Sequence, residues 1–253
     1  MYRRKPAADA RRGADMSGGH VGADSKTICV LGMHRSGTSC LTGLLEDAGV
    51  FLGGVSKQNP HNRKGNQENL LIMRLHDEVL KHNGGGWDNL PQGDVNWTDA
   101  QKASLDAILG QYKDHPLWAF KDPRSLFTLS AWRQALPELA YIGTFRHPGA
   151  VAQSLHRRGK MPAEQGFALW LRYNARLLEL QTRYGFDLLC FDLEPEAYMQ
   201  AVGKAFQRLG LDASHTSLAF FEESLRNTAI DPMFATPPPE AMRVYERMRE
   251  IAA

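Results

Sequence analysis

The sequence predicts a three-layer α/β/α fold, in which a central and mainly parallel sheet of about five strands lies between helices. Two observations predict it. Short apolar runs alternate with longer segments of helical period, which is the pattern of repeated β-α-β units. The chain has 253 residues, of which 43% are apolar and 23% charged, so that it can bury one sizeable core. We therefore expect a single domain over residues 26–253.

The predicted strands are short, apolar and bounded by polar or glycine-containing segments. They are Thr27–Leu31, Leu117–Phe120, Tyr141–Phe145 and Asp187–Phe191, with the shorter run Val50–Leu52 as a candidate edge strand. The predicted helices are Cys40–Ala48, Asn66–Lys81, Asp99–Tyr112, Leu126–Leu136, Ala150–Arg158, Ala163–Tyr184, Pro195–Leu209 and Pro239–Ile251. The dense apolar face of Ala163–Tyr184 indicates a packed central helix. Polar, glycine-rich residues 53–65 and 83–98 are expected to be long loops at the mouth of a site.

An N-terminal tail, residues 1–25, lacks an apolar face and is expected to be disordered. Residues 1–15 carry five basic and two acidic side chains, or a charge of +3, whereas the whole chain has a formal net charge of +2. The remainder is therefore close to −1, so the chain offers no general basic surface for nucleic acid.

The three cysteines, Cys29, Cys40 and Cys190, lie in apolar stretches, are odd in number and show no metal-binding spacing. We expect reduced thiols in the core of a cytoplasmic protein. No run approaches the roughly 18 apolar residues of a membrane helix, and the N-terminus lacks the apolar segment of a secretory signal. Stable membrane insertion is therefore not expected.

The most informative segment joins the first predicted strand to the first predicted helix, and reads Gly32-Met33-His34-Arg35-Ser36-Gly37-Thr38-Ser39. A glycine at each corner lets the backbone approach a ligand, and the helix N-terminus that follows favours an anion. The glycine spacing is that of a P-loop, but Thr38 stands where a nucleotide triphosphatase has its lysine. The loop therefore predicts a phosphorylated donor other than ATP. The structural alternative is an ordinary helix cap made by Ser36, Thr38 or Ser39.

A second segment, Phe145 to Ser154, places Arg146 at the end of a predicted strand and Ser154 eight residues later, in a helix that begins near Pro148. Ligands bind at the carboxyl ends of the strands in open α/β sheets. An arginine and a hydroxyl at this edge can hold one phosphate together. The alternative is a strand-end arginine that makes only a salt bridge.

Together these segments resemble the sulfotransferase family, which uses 3′-phosphoadenosine-5′-phosphosulfate (PAPS). The loop at residues 32–39 resembles the family's 5′-phosphosulfate loop, and the Arg146–Ser154 spacing resembles its 3′-phosphate motif. The segment Phe120-Lys121-Asp122-Pro123-Arg124 resembles the Lys-Asp-Pro strand end of tyrosylprotein and many bacterial members. Arg35, in place of the lysine of soluble cytosolic members, matches the loop of tyrosylprotein and bacterial carbohydrate-type members.

The resemblance implies a P-loop-like fold, transfer of a sulfuryl group from PAPS, release of adenosine 3′,5′-bisphosphate and no metal requirement. Arg35 and Lys121 would stabilise the charge that develops on the leaving phosphate. The residues implied to bind the donor are His34, Arg35, Ser36, Gly37, Thr38, Ser39, Arg146 and Ser154. The alternative for Lys121 is a solvated charge paired with Asp122.

An alcohol acceptor needs a general base. The best candidate is Glu68, because Gly65 and Glu68 resemble the Gly-x-x-Glu of bacterial sulfotransferases. A carboxylate in the first turn of a helix is also favoured by the helix dipole alone. His61, His76 and Asp77 are the alternative bases.

We therefore expect transfer to a hydroxyl of a glycan, a lipid or a small natural product. Trp87 and Trp97 are candidates to line the acceptor pocket. Two other functions stay open: a small-molecule kinase that uses ATP and Mg²⁺, and a module that binds a nucleotide without turnover. The acceptor and the oligomeric state cannot be read from the residues.

Overall fold

The computed structural model describes residues 25–56, 67–214, 216 and 229–252, and every structural statement below concerns these residues. The predicted disorder of the tail, the alternative base His61 and the motif glycine Gly65 fall outside them.

The central sheet consists of four parallel strands, namely β1 (Lys26–Leu31), β2 (Leu117–Lys121), β3 (Ala140–Phe145) and β4 (Leu188–Cys190). Their order across the sheet is β2-β1-β3-β4. Consecutive strands that run parallel need crossover connections, and helices supply them here. The register pairs Val30 with Lys121 on one side and with Ile142 on the other, so that the carboxyl ends of the strands reach a common edge. The predicted α/β fold with a parallel sheet is confirmed.

The expected number of strands was slightly too high, because Val50–Leu52 does not form a strand. Phe51 makes only an isolated parallel bridge to Trp118. Its amide donates to the carbonyl of Leu117 at 3.1 Å and its carbonyl accepts from Ala119 at 2.9 Å. Within the described residues the chain then turns, and Val55 pairs antiparallel with Asn69 instead. One bridge is too short a ladder to count as an edge strand.

Helices cover both faces of the sheet. They are α1 (Thr38–Asp47), α2 (Leu70–His82), α3 (Asp99–Leu109), α4 (Ser125–Ala135), α5 (Pro148–Gly159), α6 (Ala163–Tyr184), α7 (Pro195–Arg208) and α8 (Pro239–Ile251), with a short 3₁₀ helix at Pro232–Phe234. Alternate residues of β1 point to opposite faces: Cys29 and Leu31 join one buried cluster, and Ile28 and Val30 join the other. The sheet is therefore buried on both sides, as its continuous apolar strands predict.

The helix α6 has the predicted bounds and packs against the edge of the sheet where the strands end. Its Trp170 is fully buried and donates its indole N–H to the carbonyl of Arg146 at 2.9 Å. This bond fixes the backbone of the residue that follows β3. Cys29 and Cys190 are buried as expected, whereas Cys40 is half-buried.

Candidate active site

The loop between β1 and α1 ends in a helix N-terminus that has no side-chain cap among the described residues. The residue before α1 is Gly37, at φ +84°, and it offers no capping oxygen. The N-terminus of a helix, with its backbone N–H groups and the positive end of its dipole, favours binding of an anion. The alternative in which Ser36, Thr38 or Ser39 caps the helix is therefore not supported.

The glycines of this loop allow two close contacts. A Cβ on Gly32 would lie 2.5 Å from the carbonyl oxygen of Thr144, and a Cβ on Gly37 would lie 2.3 Å from the ring of Phe191. Thr144 also donates its hydroxyl to the carbonyl of Ser36 at 3.0 Å. The loop is thus held against β3 and against the residue that follows β4, which explains why glycine is needed at both corners.

Arg35 links the two predicted phosphate-binding motifs. It adopts φ +68°, which is uncommon for a residue with a side chain, and its Nε donates to Ser154 Oγ at 2.8 Å. Burial lowers the pKa of Arg35, and the positive charges of Arg158 and Arg146 lower it further. Arg146 and Arg158 therefore both add to the positive potential around Arg35, which favours binding of an anion there.

Arg146 follows β3 and is almost fully buried, at 7% exposure. Its Nε lies 3.6 Å from Asp192 Oδ1, and its guanidinium lies 5.6 Å from the ring centre of Phe191. Asp192 in turn accepts three hydrogen bonds on Oδ2, from the amide of His147 at 2.6 Å, from the hydroxyl of Tyr245 at 3.0 Å and, more weakly, from Cys190 Sγ at 4.0 Å. The acidic end of the β4 segment was visible in the sequence, but nothing there signals Tyr245.

Lys121 and Glu68 form a buried ion pair at the end of β2. The distance between Lys121 Nζ and Glu68 Oε1 is 2.7 Å, and the lysine side chain is 2% exposed. Nζ also lies 3.5 Å from Ser39 Oγ, which belongs to the loop of residues 32–39 between β1 and α1, called the anion loop below. Lys121 therefore pairs with Glu68 and not with Asp122.

Glu68 lies before the helix and not in its first turn. Asn69 caps α2 by accepting the amide of Leu71 at 2.9 Å, so that the helix begins at Leu70. The explanation of Glu68 by the dipole of that first turn therefore does not apply. Its carboxylate is instead held by Lys121 on a neighbouring strand end.

His76, an alternative base, is fully buried, and both of its ring nitrogens face other side chains. Its Nε2 accepts the indole N–H of Trp132 at 2.7 Å, so Nδ1 carries the proton and faces Asp122 Oδ2 at 3.4 Å. Burial alone would raise the pKa of Asp122, but His76 and Arg124 outweigh it and hold the pKa below its usual range. The structure thus argues against His76 as the base.

Arg124 is fixed by two carboxylates. Its Nε contacts Asp77 Oδ1 at 2.5 Å and its Nη1 contacts Asp122 Oδ1 at 3.0 Å. Burial would lower the pKa of Arg124, but Asp122 and Asp77 more than reverse that and raise it. Asp77, the third alternative base, is therefore engaged with Arg124.

His34 lies at the wall of the site, with its ring centre 4.9 Å from that of Trp87 and 5.9 Å from that of Tyr173. Burial lowers the pKa of His34 to about 3, and the charge of Arg124 adds to the effect. Its Nε2 is buried without a hydrogen-bond partner among the described residues. The ring is therefore neutral at physiological pH.

These groups surround a pocket of about 390 Å³. Of the predicted site residues, His34, Arg35, Thr38, Ser39, Glu68 and Lys121 line it. Ser36, Gly37, Arg146 and Ser154 do not, although Ser154 contacts Arg35 directly. Ser36 is fully buried, and its Oγ has no hydrogen-bond partner in the described part of the chain.

Sequence reasoning assigned no role to several lining residues: Met73, Asp88, Pro123, Arg124, Leu155, Gly159 and Met161. Arg158 also lines the pocket. Of the two tryptophans considered for the acceptor pocket, Trp87 lines it, while Trp97 packs near His76 with ring centres 6.3 Å apart. The loop that carries Trp87 was correctly expected at the mouth of the site.

Two kinds of feature are absent from the described residues, namely a membrane-spanning helix and a cluster of metal-binding side chains. No helix in that part of the chain combines the length and the apolarity that spanning a bilayer requires. Nor do His, Cys, Asp and Glu side chains of these residues form a group suited to hold a metal ion.

The sequence and the fold were compared with those of known proteins. The family model described as the sulfotransferase family matches residues 27–209. The sulfotransferase domain of the olefin synthase of Synechococcus PCC 7002 superposes with a TM-score of 0.58 at 17% identity, covering 89% of this chain and 95% of that domain. The sulfotransferase domain of the curacin biosynthetic pathway gives 0.55 at 15% identity, covering 89% and 98%. A comparison with curated proteins returned no match.

Proposed function

Because the chain belongs to the sulfotransferase family, we propose that it transfers a sulfuryl group from PAPS to a hydroxyl group and releases adenosine 3′,5′-bisphosphate. The observation that carries the choice of donor is the arrangement of Arg35, Arg146 and Arg158 beside an uncapped helix N-terminus. The positive charges of Arg146 and Arg158, which both act on Arg35, and the dipole at the N-terminus of α1 favour a ligand with several negative charges. A donor with phosphate at both its 3′ and 5′ positions meets that requirement.

The residues present fit such a donor. The N-terminus of α1, with Thr38 and Ser39, would hold the 5′ end. Arg146 and Ser154 would hold the 3′-phosphate. Since Ser154 Oγ accepts a hydrogen bond from Arg35, its hydroxyl proton remains available to a phosphate oxygen. His34 would shape the loop, because its ring makes edge contacts with Trp87, which lines the pocket, and with the buried Tyr173.

Glu68 and Lys121 would carry the chemistry. When bound, the donor supplies the sulfuryl group. The acceptor oxygen forms the new S–O bond, Glu68 accepts the proton of that hydroxyl, and the electron pair of the broken S–O bond stays on the leaving phosphate. Lys121 Nζ lies 2.7 Å from the carboxylate and 3.5 Å from Ser39 Oγ, so one ammonium group is within reach of the base and of the anion loop. It can therefore stabilise the charge that develops there.

The pocket also bears on the acceptor. Much of its wall is apolar: Met73, Trp87, Pro123, Leu155 and Met161. Most of the polar and charged lining residues belong to the proposed donor and catalytic groups, whereas the flexible methionines can adapt to an aliphatic surface. We therefore favour a hydroxyl on a largely apolar molecule, such as a lipid or a natural product. A panel of long-chain secondary alcohols, hydroxy fatty acids and oligosaccharides, scored by release of the bisphosphate, tests this. Turnover of the sugars alone would reverse the preference.

Calorimetric titration tests the donor. We expect adenosine 3′,5′-bisphosphate to bind tightly without metal, and Arg146→Ala to weaken that binding. Titrations with ADP and with ATP plus Mg²⁺ are the comparison. Preference for ATP with Mg²⁺ would favour a kinase instead of a sulfotransferase. Binding of none of these ligands would contradict the assignment of a nucleotide site.

Glu68→Gln distinguishes an enzyme from a module that only binds. We expect turnover to fall by about 10²–10⁴-fold, the usual contribution of a general base, while the bisphosphate still binds. An unchanged rate would exclude Glu68 as the base.

A further inference from the structure

A chain of contacts behind Arg146 reaches the last helix. Asp192 uses its two oxygens differently: Oδ2 accepts from the amide of His147 at 2.6 Å and from the hydroxyl of Tyr245 at 3.0 Å, while Oδ1 faces Arg146 Nε at 3.6 Å. Tyr245 lies on α8, far from the phosphate-binding segments in sequence.

We propose that Asp192 and Tyr245 are positioning residues for recognition of the donor's 3′-phosphate, and that through them α8 is coupled to donor binding. The proposal rests on the proposed function, in which Arg146 holds that phosphate. Neither residue would touch the donor. They would act by fixing the direction in which the guanidinium of Arg146 points.

The geometry fits this role. A phosphate is best bound by the paired Nη groups of arginine, so a carboxylate that engages the Nε side leaves that pair available. Asp192 cannot rotate freely, because the His147 amide, the Tyr245 hydroxyl and the Cys190 thiol all donate to its Oδ2. The backbone of Arg146 is fixed by Trp170, and its guanidinium is nearly buried near Phe191. An otherwise flexible side chain is thus ordered before the ligand arrives, which reduces the entropy lost on binding.

Tyr245 is suited to hold the carboxylate at any physiological pH. Burial raises the pKa of its hydroxyl, and the neighbouring charge of Asp192 raises it further, so the group remains a donor. The hydroxyl also lies 3.9 Å from Cys190 Sγ, at the end of β4. The helix α8 is therefore tied to the same strand edge that carries Asp192.

A second role for Asp192 makes the opposite prediction. A carboxylate near the phosphate site repels the ligand, and if that repulsion dominated, removal of the charge would tighten binding. The side chain of Asp192 is 27% exposed, so water screens the repulsion in part. Orientation should then outweigh it, and Asp192→Asn should weaken binding.

The experiment compares a ligand that carries a 3′-phosphate with one that does not, each with an anionic group at the 5′ position. Adenosine 3′,5′-bisphosphate and adenosine 5′-phosphosulfate, which lacks the 3′-phosphate, are titrated calorimetrically against the wild type and the variants Tyr245→Phe, Asp192→Asn, their combination and Arg146→Ala. We expect Tyr245→Phe to raise the Kd of the bisphosphate about 3- to 10-fold, the value of one hydrogen bond, and Asp192→Asn to raise it at least as much. The Kd of the phosphosulfate should change less than about 2-fold, which a general loss of structure would not allow.

Tyr184→Phe is the matched control, because it removes a phenol hydroxyl at the end of α6, beside Tyr141 at the start of β3 and away from Arg146. The combined variant should be no weaker than Asp192→Asn alone, since Tyr245 acts through Asp192. Tighter or unchanged bisphosphate binding in Asp192→Asn, or an unchanged Kd in Tyr245→Phe, would overturn the inference. An unchanged Kd in Arg146→Ala would instead overturn the assignment of the 3′-phosphate site.

Discussion

Lys121 is the residue on which the proposed chemistry depends most directly. It is almost fully buried, and its ammonium group joins Glu68 to the anion loop. A charge that is already desolvated and fixed needs no reorganisation when negative charge develops on the leaving group. We expect Lys121→Ala to lower kcat by about 10²–10³-fold, as the loss of one preorganised donor does in other enzymes.

The measurement is the steady-state rate with an acceptor found in the alcohol panel. Lys102→Ala is the control, because Lys102 is exposed and pairs only with Asp99 one turn away. Equal rates for the two variants would show that Lys121 has no catalytic role.

Arg158 and Arg157 are adjacent, exposed and equally charged, yet only Arg158 lines the pocket. Arg158 also contributes to the lowered pKa values of Arg35 and His34, so its field reaches the site. We expect Arg158→Ala to weaken binding of adenosine 5′-phosphosulfate about 10-fold, as the loss of a hydrogen bond to a charged group does. Arg157→Ala should change it by less than about 2-fold, since a surface charge is largely screened.

The dependence of these binding affinities on ionic strength checks the electrostatic explanation. The difference between the two variants should shrink as ionic strength rises from 0.05 to about 0.5 M, because the Debye length shortens. Equal effects at every salt concentration would mean that Arg158 acts only through overall charge.

Residues close to a motif could be predicted from the sequence, whereas those that depend on distant contacts could not. Lys121 and Arg35 meet in one pocket because strand ends and the β1–α1 loop converge at the same sheet edge. The hydrogen bond that Trp132, 56 residues later, donates to Nε2 of the alternative base His76 could not be predicted from the segment around His76. Tyr245 likewise lies 53 residues after Asp192, to which it donates. A pattern within one segment carries no information about such partners.

The glycine that joins the anion loop to α1 allows a test of how closely the start of this helix packs against Phe191. Gly37 and Gly49 have the same φ of +84°, but a Cβ on Gly37 would meet the ring of Phe191, whereas one on Gly49 would meet nothing within 4 Å. Gly49→Ala should therefore cost only the backbone strain of about 1–2 kcal/mol. Gly37→Ala should cost about 1–3 kcal/mol more, for the overlap with Phe191, and should also impair donor binding.

Denaturant unfolding gives the two free energies, and calorimetry with the bisphosphate gives the affinities. Equal losses of stability in the two variants would mean that the contact with Phe191 relaxes without cost.

The periodicity of apolar residues in the sequence predicted the type of most helices and strands and their approximate bounds. The bounds of α6 and α8 agree with the prediction, whereas α2 begins at Leu70 because the side chain of Asn69 caps it. The run Val50–Leu52 has the composition of a strand but makes a single bridge. The composition of a run predicts that its backbone is extended. The number of hydrogen bonds that it makes with an adjacent strand depends on that strand, about which the run carries no information.

For the whole molecule, the buried state of His34 predicts how stability varies with pH. The pKa of His34 is about 3 in the folded protein, below its ordinary value of 6.5. Between these values the unfolded chain binds a proton that the folded protein does not, so stability falls as pH is lowered from 6.5 towards 3. The largest slope from one such group is about 1.4 kcal/mol per pH unit.

We expect His34→Gln to be less stable than the wild type at pH 7 but to lose less stability between pH 7 and pH 5. Denaturant unfolding at the two pH values measures the difference. His147, whose pKa is also lowered by burial, contributes equally to both proteins. Parallel pH profiles would show that His34 accepts a proton without penalty in the fold.

The positions of the tryptophans allow ligand binding in the pocket to be followed by intrinsic fluorescence. The chain has five tryptophans. Trp118, Trp132 and Trp170 are fully buried, and Trp97 packs near His76, whereas Trp87 lines the pocket beside His34. A change in intrinsic fluorescence on adding a ligand should therefore come from Trp87, and Trp87→Phe should abolish it. Occupancy of the site can then be followed optically, in real time and with an unlabelled protein.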